Sequence, residues 1–328
     1  MLNQSHGDHI VQQKSQMGKI LITGGTGFIG SHITRFYVQQ GFEVRVIDDN
    51  TRGRNDRIAD VISEVEFIEG DIQDFSVVES ACVNVDTVVH LAFINGTSNF
   101  YNHPDKVLNV AIKGILTVAA AISKFRIENL VLASSSEVYQ TPKLYPTPEK
   151  IEMVVPELDN PRYSYGLGKI VQEFYAYHAI SELINLTIFR PHNIYGSDMG
   201  DLHVIPQLFE KIISAKKTNT PFKIEGSGNQ TRSFCHIDDF IQGFSLISKS
   251  LNGKQVFNIG TKEEISITNL ASKISNIVGV ESVYTESKMP AGGTLRRVPD
   301  ITKLESLGYK QEVTLDSGLN EYYRQLME

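Results

Sequence analysis

Cysteine is nearly absent from this chain: Cys82 and Cys235 are the only two, far apart in sequence and each in an apolar context. No disulfide framework is indicated, and buried thiols in a reducing cytoplasm are the expectation. No run of about eighteen apolar residues occurs, which counts against a membrane-spanning helix. Basic blocks are missing too, and the net charge of −7 argues against a nucleic-acid surface. A small anionic ligand is not excluded, because backbone amides and a few arginines suffice to hold one. Met1–Gly18 is polar, rich in Gln and His, and without the apolar core of a signal peptide. It is expected to be a disordered leader. The remainder, within a chain that is 41% hydrophobic and 21% charged, has room for one large domain and a smaller one.

Short β-branched runs alternate with helical spacing through the first two-thirds. Lys19–Thr23, Glu43–Asp48, Val65–Ile68, Thr87–Leu91, Asn129–Ser134 and Leu186–Arg190 read as strands. Ile29–Gln40, Ser76–Cys82, Pro104–Phe125 and Ser164–Ser181 read as helices between them. Strands separated by helices of this length imply right-handed crossovers and a parallel sheet. After Pro191 the pattern loosens: Met199–Ser214 is expected to be a helix, Phe222–Glu225 and Gln255–Ile259 strands, and Ile267–Ile277 a helix. The expected fold is α/β, a Rossmann-type doubly wound parallel sheet with a smaller α/β substrate-binding domain. The sheet domain is assigned to 19–198, rejoined by about 232–260, and the smaller domain to 199–231 and 261–328.

Thr23-Gly24-Gly25-Thr26-Gly27-Phe28-Ile29-Gly30 follows the first strand and opens the first helix. Gly24, Gly27 and Gly30 leave backbone amides uncovered for a pyrophosphate, which the dipole of the following helix favours, and Phe28 and Ile29 are counted with them in the cofactor set. Asp48 ends the second strand roughly twenty residues on, where a carboxylate accepts ribose hydroxyls and repels a 2′-phosphate, so NAD is preferred to NADP. Arg52 and Arg54, just beyond, soften that preference. Asp71 and Ile72, after the third strand, offer a carboxylate and an apolar wall to an adenine; Asp71 is equally readable as a helix N-cap.

Tyr165-Gly166-Leu167-Gly168-Lys169 sets a phenol and an ammonium four residues apart, on one face of a helix. A phenol of reference pKa about 10 is a poor base, and a nearby cation lowers it. A chance pair on an amphipathic helix looks the same. Ser134-Ser135-Ser136-Glu137-Val138-Tyr139, however, ends the fifth strand at the carboxyl edge, where open α/β sheets hold ligands.

In combination these segments resemble the extended short-chain dehydrogenase/reductases, specifically the nucleotide-sugar epimerases, dehydratases and decarboxylases. The likeness also rests on His90-Leu91-Ala92, Arg190-Pro-His-Asn-Ile-Tyr-Gly196, Gly226-Ser-Gly-Asn-Gln-Thr-Arg-Ser-Phe234, Asn258-Ile-Gly260 and Arg296-Arg-Val-Pro-Asp300. It implies an NAD-dependent enzyme with Tyr165 as base, Lys169 lowering its pKa and holding the nicotinamide ribose, and Ser135 as the hydroxyl partner. Leu91 and Ala92 join the cofactor set. Asn193 would meet the substrate's phosphate or sugar, and Arg232 and Arg297 its diphosphate, with Arg296 not separable from Arg297 by sequence. A homodimer through the helices Pro104–Phe125 and Ser164–Ser181 is likewise implied. His192 and His203 read as pocket-lining or structural residues, and no metal is expected.

Chemistry of this family opens with oxidation at sugar C4, giving a 4-keto intermediate. Re-reduction, loss of water, or loss of carbon dioxide then follows. An acid such as Glu137 is usual in 4,6-dehydratases, which use it as a base on the proton alpha to the ketone, and in UDP-glucuronate decarboxylases, and is unusual in simple 4-epimerases; Glu137 is therefore counted with the catalytic residues, a local cap being its other reading. Ser135-Ser136-Glu137-Val138-Tyr139 is most similar to the decarboxylases. Gln140, Ala111, Phe93-Ile94-Asn95-Gly96-Thr97 and Ser197-Asp198-Met199 depart from that pattern, chiefly where a sugar is recognised. A 4-epimerase, a reductase consuming NADPH and a non-catalytic dinucleotide-binding scaffold are the competing readings.

Overall fold

The computed structural model describes residues 18–180, 184–288 and 291–328. Of the expected leader, residues 1–17 lie outside the described residues, as does Ser181 at the end of one expected helix.

Six strands precede the residue-191 break: β1 (Lys19–Thr23), β2 (Glu43–Asp48), β3 (Val65–Glu69), β4 (Thr87–His90), β5 (Asn129–Ala133) and β6 (Asn185–Pro191). Later come β7 (Ile194–Tyr195), β8 (Phe222–Glu225), β9 (Thr231–Ser233), β10 (Cys235–His236), β11 (Lys254–Ile259), β12 (Glu264–Ser266), β13 (Tyr284–Ser287) and β14 (Arg296–Arg297). Seven of them form one sheet in the order β3-β2-β1-β4-β5-β6-β11, with every pairing parallel. Chain direction across the sheet reverses between β1 and β4, so a crevice opens at the carboxyl ends of those two strands.

Helices cover both faces, which is why the strands read as unbroken apolar runs. These are α1 (Phe28–Gln39), α2 (Phe75–Ala81), α3 (Thr97–Asn102), α4 (Pro104–Phe125), α5 (Ser164–Ala179), α6 (Val204–Thr218), α7 (Ile237–Lys249), α8 (Ile267–Val278), α9 (Thr302–Glu305) and α10 (Leu315–Met327). On one face Val78, Ile115, Ile122 and Ala176 of α2, α4 and α5 pack on Leu21, Val88, Leu130 and Leu186. On the other, Ile33 of α1 and Phe240 and Phe244 of α7 pack on Ile22, Val46, Val131 and Phe257. Helix α4 has its proline at the first helical position, where no N–H is needed, and ends on Arg126 in the left-handed region. Its 22 residues are long and apolar enough to span a bilayer, but half of its most apolar stretch is buried inside the molecule, as in a core helix.

A third cluster, built from Phe209, Ile212, Phe222, Ile224, Leu270, Ile274 and Leu319, forms the smaller unit. Two expectations are corrected there. The helix expected over Met199–Ser214 starts at Val204 and runs to Thr218. Asp198 has a positive φ of 66°, and Pro206 falls in the first turn of the observed helix. In a helix begun at Met199, that proline would sit in the interior and break the ladder. The stretch 301–309, expected in the smaller unit, returns to the sheet: Ile301, Leu304 and Tyr309 are buried in the α1–α7 face, and Tyr309 donates to the Gly260 carbonyl at 3.1 Å.

Candidate active site

The crevice at the β1–β4 reversal is a cavity of about 350 Å³ lined by Gly24, Gly27, Phe28, Ile29, Gly30, Asp48, Leu91 and Ala92. Gly24 has φ +76°, and a Cβ there would stand 2.8 Å from the Ala92 backbone. A Cβ on Gly30 would stand 2.0 Å from the Gly24 carbonyl oxygen. Larger residues are excluded at both, so the loop hugs the crevice. Gly27 caps α1 with no side-chain hydrogen bond, leaving the amides and positive dipole end of that helix for an anion. Asp48 is buried, and its carboxylate accepts from the Thr26 and Asn50 amides, each at 3.0 Å. Bare helix amides, an oriented carboxylate and apolar walls suit a dinucleotide.

Asp71 and Ile72 do not line this cavity. Asp71 is exposed and its carboxylate accepts from the Gln73 amide at 2.8 Å. Nor is it the helix cap, since Asp74 accepts from Ser76 at the start of α2. Ile72 is core, and a Cβ on Gly114 of α4 would stand 2.5 Å from its Cδ1. Arg54 pairs outward with Asp56. Arg52 instead crosses the crevice toward Gly96, whose added Cβ would lie 2.6 Å from Arg52 Nη1, and that nitrogen has no hydrogen-bond partner among the described residues.

Ser135, Glu137, Tyr165 and Lys169 line the same cavity as the glycine loop. The Tyr165 ring stacks on Phe100 of α3 at 4.7 Å and meets the Phe93 ring edge-on at 5.1 Å. Burial pushes its phenol up to about 12, with the Ser135 hydrogen bond pulling the other way. Ser135 also caps the short turn after β5, its hydroxyl accepting from the Glu137 amide at 3.1 Å. Lys169 is buried, donates to the Ala133 carbonyl at 2.7 Å, and burial brings its ammonium down to about 7.

A second cavity of about 280 Å³ shares Glu137, Asn193 and Arg297 with the first and extends over the smaller unit. Glu137 sits where the two meet. Arg297 Nη1 reaches its Oε1 at 3.0 Å and Arg162 Nη2 reaches the same oxygen at 3.3 Å. Burial drives the Glu137 carboxyl up, yet Arg297 and Arg162 together outweigh it, and the net displacement is below the usual carboxylate range. Glu137 is therefore a fixed anion near neutral pH. Arg232 lines the second cavity, its two Nη groups anchored on the Thr231 and Thr294 carbonyls at 2.7 Å each. Burial beside Arg297 lowers it to about 9, still protonated at neutral pH.

The structure separates the arginine pair: Arg296 is half-exposed and paired with Glu264, whereas Arg297 is buried in the site. Asn193 lines both cavities at φ +44°, its amide donating to the Ser233 carbonyl at 2.8 Å. His203 lines both cavities too, while His192 is fully buried and bonded to Asn258. Sequence reasoning missed Arg162, delivered by the Asn160-capped turn before α5, and Phe100, and placed Phe93 only in a loop near the sugar, not against Tyr165. An Asn-Pro-Arg step just ahead of the Tyr165 helix was the available signal for Arg162.

A glycine-lined dinucleotide crevice sharing one cavity with Ser135, Tyr165 and Lys169 defines a short-chain-type, dinucleotide-dependent oxidoreductase site. Residues 20–260 match the model of the NAD dependent epimerase/dehydratase family, and the chain belongs to that family. UDP-glucuronic acid decarboxylase 1 of Xenopus tropicalis is 31% identical over 317 residues, covering 94% of this chain and 73% of its own. A UDP-glucose 4-epimerase of Mycolicibacterium smegmatis is 29% identical over 312 residues, covering 92% and 96%. Among solved structures, UDP-glucose 4-epimerase of Thermotoga maritima with UDP-glucose superposes with TM-score 0.83 at 25% identity, covering 94% of this chain and 100% of the other. The chain is an enzyme of NAD-dependent nucleotide-sugar chemistry, with NAD as its cofactor.

Proposed function

We propose that this enzyme oxidises C4 of a nucleoside-diphosphate uronic acid and releases carbon dioxide from the resulting ketone. One observation carries the choice: Arg162, Arg232 and Arg297 gather around a single carboxylate, Glu137, where the two cavities meet. Three guanidiniums against one carboxylate leave the site cationic, which suits a diphosphate and a sugar carboxylate.

Gly24, Gly27 and Asp48 would hold NAD, which would supply the two-electron acceptor for the C4 hydrogen. Tyr165 takes the proton of the C4 hydroxyl, and Ser135 holds the same oxygen. The 4-ketone makes the uronate a β-keto acid. Its C5–C6 bond then breaks, carbon dioxide leaves, and the bond's electrons pass to the C4 oxygen between Tyr165 and Ser135. A proton from water adds at C5, the hydride held by the reduced cofactor would return to C4, and Tyr165 gives its proton back to the C4 oxygen.

Dehydration needs a proton donor for the leaving hydroxide as well as a base. Glu137, clamped as an anion, makes a poor donor, and its neighbour Ser136 is a hydroxyl. The 4-epimerase reading keeps support from the 29% identity above and predicts unchanged mass with altered C4 stereochemistry. Incubating the NAD-loaded enzyme with UDP-glucuronate and UDP-glucose separates the outcomes by mass spectrometry. Loss of carbon dioxide from the uronate is expected; loss of water, or inversion alone, would refute the proposal. Replacing Arg232 with Ala is expected to raise KM for the uronate roughly ten- to hundredfold.

The enzyme acts as a homodimer in this reading. Ile112 and Leu116 on α4 and Phe174 and Tyr177 on α5 are exposed apolar side chains on neighbouring helices, and a second copy covering both would bury them. Sedimentation is expected to give a dimer for the wild type and a monomer for the Leu116→Asp, Phe174→Asp variant. Cys82 and Cys235, both free and buried, support a cytoplasmic location.

A further inference from the structure

Beneath the catalytic face, Lys169 is enclosed on three sides. Its ammonium donates to the Ala133 carbonyl at 2.7 Å and to Gln172 Oε1 at 3.2 Å, and lies 4.0 Å from the Phe93 ring centroid. Glu173, on the same helix, adds a favourable charge but is committed to Arg190. Phe93 fits because its neighbours are small: a Cβ on Gly168 would stand 2.9 Å from the Ala111 Cβ and 3.0 Å from Phe93 Cζ. Ala111 and Gly168 thus leave room for the ring that covers Lys169.

Gln172 is fully buried and lines neither cavity. Its Nε2 faces the Ala111 carbonyl at 3.2 Å and His90 Nε2 at 3.4 Å. Turning the amide over would point N–H at an ammonium and a carbonyl oxygen at a carbonyl oxygen. The partners therefore fix Oε1 toward Lys169. The same logic fixes His90. Because its Nε2 accepts from Gln172, its Nδ1 carries the proton and donates to Thr23 Oγ1 at 2.8 Å. Burial, reinforced by the Lys169 charge, lowers His90 to about 3, so the ring is neutral. Thr23 Oγ1 in turn accepts from the Leu91 and Ala92 amides at 3.2 and 3.3 Å. A continuous buried path runs from the cofactor loop at the ends of β1 and β4, through His90 and Gln172, to Lys169.

We propose that Gln172 is a positioning residue: oriented by His90 and the Ala111 carbonyl, its side-chain oxygen holds the Lys169 ammonium under Phe93 and sets how firmly that lysine keeps its proton. Relevance to turnover rests on the reading of Lys169 as the partner of Tyr165. The titratable groups acting on or acted on by Lys169 are His90 from β4 and Glu173 from α5; Ala111 from α4 does not titrate.

The test titrates Lys169 itself in the cofactor-free protein, by NMR of ε-13C-lysine assigned through the Lys169→Arg variant. Gln172→Met keeps the volume and removes the acceptor, so the Lys169 midpoint is expected to fall by about one pH unit, tenfold in proton affinity. Gln172→Glu keeps an acceptor and adds a charge, so the midpoint is expected to rise. Midpoints unmoved in both variants would overturn the proposal. The kcat–pH profile read beside them separates the two claims. If the midpoints move while the rate profile stays, Gln172 sets the lysine as proposed, and the catalytic reading of Lys169 is what fails.

Discussion

Replacing Tyr165 with Phe should lower kcat by roughly 10²- to 10⁴-fold while leaving NAD affinity within about threefold of wild type. The hydroxyl is the only group lost. Stacking on Phe100 and the edge contact with Phe93 do not involve it, so the ring should remain seated. Ser135 keeps its bond from the Glu137 amide, so the turn after β5 stays formed. Since burial holds the phenol near 12, the free enzyme carries it protonated at neutral pH. To accept the sugar's proton it must first lose its own, which positive charge brought to the site favours, and Phe can do neither. Steady-state kinetics with calorimetric NAD titration check both halves of the expectation. A variant with full turnover would remove the base from the scheme.

The second large effect is on stability. Glu173 and Arg190 are both about 4% exposed, with Nη2 to Oε2 at 2.6 Å and Nε to Oε1 at 2.8 Å. Arg190 also donates to the Tyr139 hydroxyl and the Glu149 carbonyl, each at 2.8 Å. This bidentate pair ties α5, which carries Tyr165 and Lys169, to β6. Glu173→Ala strands a buried guanidinium and is expected to cost about 3–5 kcal/mol, lowering Tm by about 10 °C. Arg190→Met combined with Glu173→Met should recover much of that loss, because two desolvated charges are replaced by packed side chains. Thermal melts of the single and double variants decide it. A single variant as stable as wild type would show that the pair contributes little.

Much of this architecture is legible in the sequence because the relevant signals are local. The glycine loop must follow a strand and open a helix, and Gly24 and Gly30 admit no Cβ. The run from Pro104 to Phe125 carries its own start, periodic stripe and length. Tyr165 and Lys169 share a helical face by spacing alone. What escaped depends on residues meeting across the fold. Phe93 and Phe100 sandwich Tyr165 from a different loop and helix, some sixty to seventy positions away. Arg162 and Arg297 converge on Glu137 from 25 and 160 positions away. Nothing near Gln172 announces that Ala111, His90 and Thr23 will fix its amide. The misplaced start of α6 has another cause: apolar spacing from Met199 resembles a helix, but Asp198 and Pro206 set its limits. Ile301–Tyr309 carries too little periodicity to show which core it joins.

The central claim is that a C–H bond at sugar C4 breaks and re-forms in every turnover. A single-turnover experiment with C4-deuterated UDP-glucuronate tests it. The account predicts a slower reaction than with protium, and a product that still carries its deuterium at C4. Conversion at the unlabelled rate, or with deuterium washed out to solvent, would contradict it.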